Sequence, residues 1–93
     1  MTIGVLQLEL AIADAMSLKD KRRVVKSVKD RIRARYNVSV AETGALEQHR
    51  RAMVTVVMVA NETQYVQGEL SKIVDMVQAF APANLEDYQI DLL

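Results

Sequence analysis

The apolar spacing of this chain switches repeatedly between a period of two and the helical period, and that alternation limits its folds more than any other feature. From Ile3 to Ile12, Leu6, Leu8, Leu10 and Ile12 alternate with Gln7, Glu9 and Ala11, which predicts a strand with one buried face. Ala13 to Met16 form the connection. Ser17-Leu18-Lys19-Asp20 has the form of a capping box, in which hydroxyl and carboxylate satisfy orphan backbone N–H groups. Leu18, Val25, Val28, Ile32 and Tyr36 then recur at helical spacing, and neither Gly nor Pro interrupts Ser17 to Tyr36. Asn37 suits a left-handed residue closing that helix.

Val38 to Ala41 alternates again as a short second strand, and Glu42 to His49 reads as a loop with Gly44 as its flexible position. Ala52 to Ala60 is β-branched and apolar on both faces, as a central strand should be. Asn61 or Thr63 is placed to cap a second helix. Its stripe runs through Val66, Leu70, Ile73, Val77 and Phe80, and Pro82 ends it. Tyr88, Ile90 and Leu92 alternate in a last strand. The order is β-α-β-β-α-β within one domain, residues 1–93. Each helix has one apolar stripe, so both cover one face of a four-stranded antiparallel sheet. The expected fold is the α+β ferredoxin-like sandwich.

Few kinds of chemistry fit the composition. The chain has no cysteine and a single histidine, His49, in the predicted loop, so thiolate nucleophiles, disulfides and His/Cys metal clusters are excluded. A general base needs an orienting partner, and none is evident for His49. Gly4, Gly44 and Gly68 are too far apart for a phosphate-cradling glycine loop. No nucleophile–base pair is visible, and neither a cofactor nor catalysis is expected. The start of the chain lacks the pattern of a signal peptide, and no apolar run reaches the roughly 20 residues of a membrane span, so a cytoplasmic location is the expectation.

Charge is the informative property. The net charge is zero, yet residues 1–51 carry +5 and residues 52–93 carry −5. Nine of the twelve Lys and Arg residues lie in the first helix, against only Asp20 and Asp30. At about 100° per residue, Lys19, Arg22, Lys26, Lys29 and Arg33 fall in one arc of about 80° beside the apolar stripe. Such a stripe matches a row of phosphates, with affinity falling steeply in salt. The ordinary alternative is a solvated helix face. Against it, the run reads as one-signed and lacking acid–base pairs at i,i+4. Lys19 and Lys21 also stand in the first turns, where the helix dipole disfavours cations.

Lys21 falls inside the apolar arc, about 20° from Ile32. It either snorkels past the sheet end or joins Ser17 at the β1–α1 junction in an anion pocket. The aromatics Tyr36, Tyr65, Phe80 and Tyr88 avoid the first and third strands, so the sheet is no base-stacking platform. Its open face shows either Val54, Val56 and Met58 or Met53, Thr55, Val57 and Val59, mostly apolar in both cases. That points to a homodimer through the sheet.

Four stretches carry a family likeness: Ile3-Gly4-Val5-Leu6, Ser17-Leu18-Lys19-Asp20-Lys21-Arg22-Arg23-Val24-Val25, Asp30-Arg31 and Asn37-Val38-Ser39-Val40-Ala41-Glu42. In these the chain resembles, over nearly its full length, the YlxP-like family of small bacterial proteins. The resemblance implies a ferredoxin-like fold, no assigned catalytic residues, and a link by gene neighbourhood to translation and ribosome assembly. Residues 44–51 lack the Asp- and Trp-containing stretch that members often carry. Together these readings predict a non-enzymatic RNA- or ribosome-associated factor, with Ser17, Lys19, Lys21, Arg22, Lys26, Lys29 and Arg33 as RNA- or anion-binding residues. The alternatives are a dimeric interaction module and a small anion-binding enzyme at the β1–α1 junction.

Overall fold

The computed structural model describes residues 1–93. Strand β1 spans Thr2–Ala11, helix α1 Leu18–Arg35, β2 Ser39–Gly44, β3 Arg51–Ala60, α2 Thr63–Gln78 and β4 Asn84–Leu92. The strands form one antiparallel sheet in the order β2-β3-β1-β4, the ferredoxin-like arrangement. β1 and β3 pair along their whole length, from Thr2 opposite Ala60 to Ala11 opposite Arg51.

Period two sorts the strands as expected. Leu6, Leu8 and Leu10 on β1 and Ala52, Val54, Val56 and Met58 on β3 point to the helices and are buried. They meet Val25, Val28 and Ile32 of α1 and Val66, Leu70, Ile73, Val74 and Val77 of α2 in one core of nineteen apolar residues. The face away from the helices therefore carries Met53, Thr55, Val57 and Val59, interleaved with Gln7, Glu9 and Gln89. It is more polar than expected, because the neighbouring strands supply the other half of every row. Gly4 marks the closest approach of sheet and helix: a Cβ there would stand 2.5 Å from Val66 Cγ1 and 2.7 Å from Leu70 Cδ1.

Several boundaries differ from the sequence reading. β4 starts at Asn84, because the register shifts between Glu9 and Leu10 and breaks the alternation before Tyr88. β2 runs on to Gly44 through a second shift between Glu42 and Gly44, so Glu42 and Thr43 belong to the strand and not to a loop. Helix α1 closes on Tyr36 in an extended conformation rather than on a left-handed Asn37; Ala45, at φ 57°, is the one non-glycine residue with positive φ. Glu62 precedes α2 without a side-chain cap. The Thr63 hydroxyl instead lies 2.8 Å from that of Thr2 and ties α2 to β1.

Both sheet edges carry features that oppose further strand pairing. On β2, the carbonyl of Val40 accepts from Arg33 Nη2 at 2.9 Å. On β4, the exposed residues include Glu86, Asp87 and Asp91.

Candidate nucleic-acid interface

Helix α1 presents the candidate residues, and its cap sets where they start. Ser17 is extended, and its hydroxyl accepts the Asp20 N–H at 3.1 Å. The Asp20 carboxylate accepts the Met16 N–H at 2.9 Å, one residue before the usual partner in a capping box. Ser17 is thus occupied by its own helix.

Lys21 does not snorkel. Its side chain is fully buried, the largest such side chain in the molecule. Nζ donates to the carbonyl of Ala45 at 2.8 Å, lies 3.3 Å from that of Leu46, and stands 2.8 Å from Glu42 Oε2. Two backbone carbonyls accept its hydrogen bonds, while Glu42 Oε2, buried and without a hydrogen-bond partner, meets it as an ion pair. Lys21 is thus held by the protein's own acceptors, with no side-chain contact to Ser17. The sequence carried the missing signal: Val40 points inward, so two residues on Glu42 does as well, and an inward carboxylate requires an inward cation.

The other candidates face solvent. Lys19 and Arg22 are exposed and Lys29 is half-buried, and none of the three has an acidic partner. Lys26 and Arg33 are engaged. Lys26 Nζ lies 2.6 Å from Asp30 Oδ2, and Arg33 Nη1 lies 3.8 Å from Asp30 Oδ1. The run is therefore not free of i,i+4 pairs, because Asp30 falls one turn after Lys26. The hydrogen bond from Lys26, reinforced by the charges of Lys26, Arg33 and Lys29, holds the Asp30 carboxyl below the usual carboxylate range.

The helix also has a second cationic flank, turned toward α2. Arg31 lies over the Phe80 ring, with the guanidinium carbon 4.7 Å from its centroid. Beside it an open groove of about 760 Å³ is lined by Arg31 and Arg35 of α1, by Tyr36 that closes that helix, and by Lys72, Asp75 and Phe80 from α2 and the turn after it. A shallower depression of about 430 Å³ continues past Arg23 and Lys26. Sequence reasoning missed this groove because it joins residues far apart in the chain.

His49 is exposed and has no side-chain hydrogen bond. No three His, Cys, Asp or Glu side chains cluster as a metal site, and no helix is long and apolar enough to cross a membrane.

Comparison with known proteins identifies a family and a relative. Residues 3–90 match a family described as "Protein of unknown function (DUF503)". The chain is 31 % identical over 78 residues to the "Uncharacterized protein YlxP" of Bacillus subtilis (strain 168), an alignment covering 84 % of this chain and 85 % of that protein.

Proposed function

The chain belongs to the DUF503 family, and we propose that it is a non-enzymatic factor that holds RNA, ribosomal RNA included, by its phosphate backbone along α1. The observation that carries this reading is the row of exposed Lys19 and Arg22 and half-buried Lys29, all without acidic partners, on a helix of 18 residues. Such a helix is about 27 Å long, enough to follow several phosphates. Lys26 and Arg33 extend the row. Their contacts with Asp30 are solvent-exposed, and exposed pairs of this kind contribute little, so a phosphate can replace the carboxylate. Contacts confined to the backbone give low sequence specificity and strong salt dependence. Helical RNA suits such a surface, since proteins recognise it mainly by shape and backbone.

The test is a triple charge reversal, Lys19→Glu with Arg22→Glu and Lys29→Glu, which leaves the Lys26–Asp30 pair and the Arg33–Val40 bond in place. A filter or gel assay at low salt should show binding by the parent chain and none by the variant. Unchanged binding by the folded variant would refute the proposal.

A second reading, compatible with the first, is a dimer through the open sheet face. It rests on an apolar corner where Val5 pairs with Val57 and Ile3 with Val59, flanked by Leu93. Val59 is 61 % exposed and Leu93 76 %, and neighbouring exposed apolar residues favour association. Sedimentation decides it: a monomer at high protein concentration removes the dimer.

A further inference from the structure

We infer that the groove between α1 and α2 takes an unpaired, guanine-bearing nucleotide at the end of an RNA helix, which deepens the RNA reading above and rests on it. Three features of the groove converge on that ligand. The first is a stacking surface: the exposed guanidinium of Arg31 lies over Phe80 with its centre 4.7 Å from the ring centroid. Unpaired bases stack on aromatic rings and on guanidinium planes alike. Arg31, Phe80 and Tyr36 all line the groove, so it offers groups of both kinds.

The second is charge. Arg31, Arg35 and Lys72 line the groove against one carboxylate, Asp75. Arg35 has no acidic partner and Lys72 only an exposed pair with Glu69 at 3.6 Å, so Arg35 is the first cation to meet the nucleotide's phosphate. The third is Asp75 itself, exposed and without an ion-pair partner. A carboxylate only accepts hydrogen bonds, and it has two oxygens. Guanine alone among the four bases presents two adjacent N–H donors, N1–H and the N2 amino group, on its pairing edge. Arg31 also lines the shallower depression that reaches Lys26, the one member of the phosphate row on this side of the helix. An RNA end that passes Lys26 therefore meets the groove.

Fluorescence anisotropy at low salt tests the inference with three probes: a short blunt RNA duplex, the same duplex ending in one unpaired guanosine, and the same duplex ending in one unpaired uridine. The guanosine end should bind about fivefold or more tightly than the blunt end, the scale of one stacked base, and the uridine end less tightly than the guanosine end. Arg31→Lys keeps the charge but removes the plane, and should bring the ratio of overhang to blunt affinity near one. Asp75→Asn should abolish the preference for guanosine over uridine. Equal affinities for blunt and guanosine-ended duplex overturn this inference and leave the backbone reading standing. Absence of binding to all three overturns both. Guanosine monophosphate binding as tightly as the guanosine end would assign the groove to free nucleotides and overturn its assignment to RNA.

Discussion

Lys21 Nζ and Glu42 Oε2 meet 2.8 Å apart beneath the β2–β3 loop, the lysine fully buried and the glutamate side chain 14 % exposed. The same ammonium bonds the Ala45 carbonyl, so one side chain joins α1 to both the end of β2 and the turn after it. Lys21→Met removes the cation and strands a carboxylate and two carbonyls. Breaking one side of a buried pair typically costs about 3–5 kcal/mol, a large fraction of the stability of a small domain. Urea denaturation should show a loss of that size. Adding Glu42→Leu, which removes the stranded charge, should restore part of it. A loss below about 1 kcal/mol would show that the pair is not a fastener.

Ala45 holds φ at 57°. The left-handed conformation costs a residue with a Cβ about 1–2 kcal/mol, and glycine does not pay it. Glycine also gains more freedom in the unfolded chain, so Ala45→Gly should stabilise the protein by about 0.5–1 kcal/mol net. A lower denaturation midpoint for the variant would contradict this account of the turn.

Gly4 faces the opposite constraint. An added methyl group collides with Val66 and Leu70, and overpacking of this kind typically costs about 1–3 kcal/mol. Gly4→Ala should be destabilised accordingly. Combined with Val66→Ala, which vacates the nearest atom, its effect should be clearly less than additive. Additive losses in the double-mutant cycle would place the strain elsewhere.

Asp30 predicts a pH response of known sign. Its carboxyl is depressed chiefly by the hydrogen bond from Lys26. A carboxylate with a lowered folded-state pKa contributes stability above its unfolded pKa, and the contribution is lost as pH falls through the folded value. Because Asp30 is exposed, the contribution is small and screened by salt. A carboxyl titration followed by NMR should place the Asp30 midpoint below the ordinary aspartate value. Lys26→Met should raise it toward that value, as should high salt.

The fold was legible because each element declares its period. The leucines of β1 and the stripes of α1 and α2 fix both the element type and the buried face. Legibility failed where the period breaks. The shift opposite Glu9 and Leu10 hid the first half of β4, and the shift after Glu42 made a strand residue look like part of a loop. The second error concealed the partner of Lys21, so that lysine was read as reaching for solvent or a ligand. On the candidate surface of α1, the exposure of Lys19 and Arg22 followed from helical geometry. The pairing of Lys26 with Asp30 was also available from spacing but was outweighed by the sign of the whole run. The groove under Arg31 and Phe80 was beyond any local pattern, because only tertiary packing brings α1 against the turn after α2.

The two sheet borders described above have a consequence for how this chain survives at high concentration. An unguarded strand rim can recruit partly folded neighbours and seed fibrous growth. On one side the Arg33 guanidinium occupies a carbonyl that an incoming strand could use. On the other, pairing β4 with its own copy brings Glu86, Asp87 and Asp91 of both chains together. The negative half of this electrically neutral chain thus discourages sticking to itself. The two edges are guarded by charge of opposite sign, cationic beside β2 and anionic along β4.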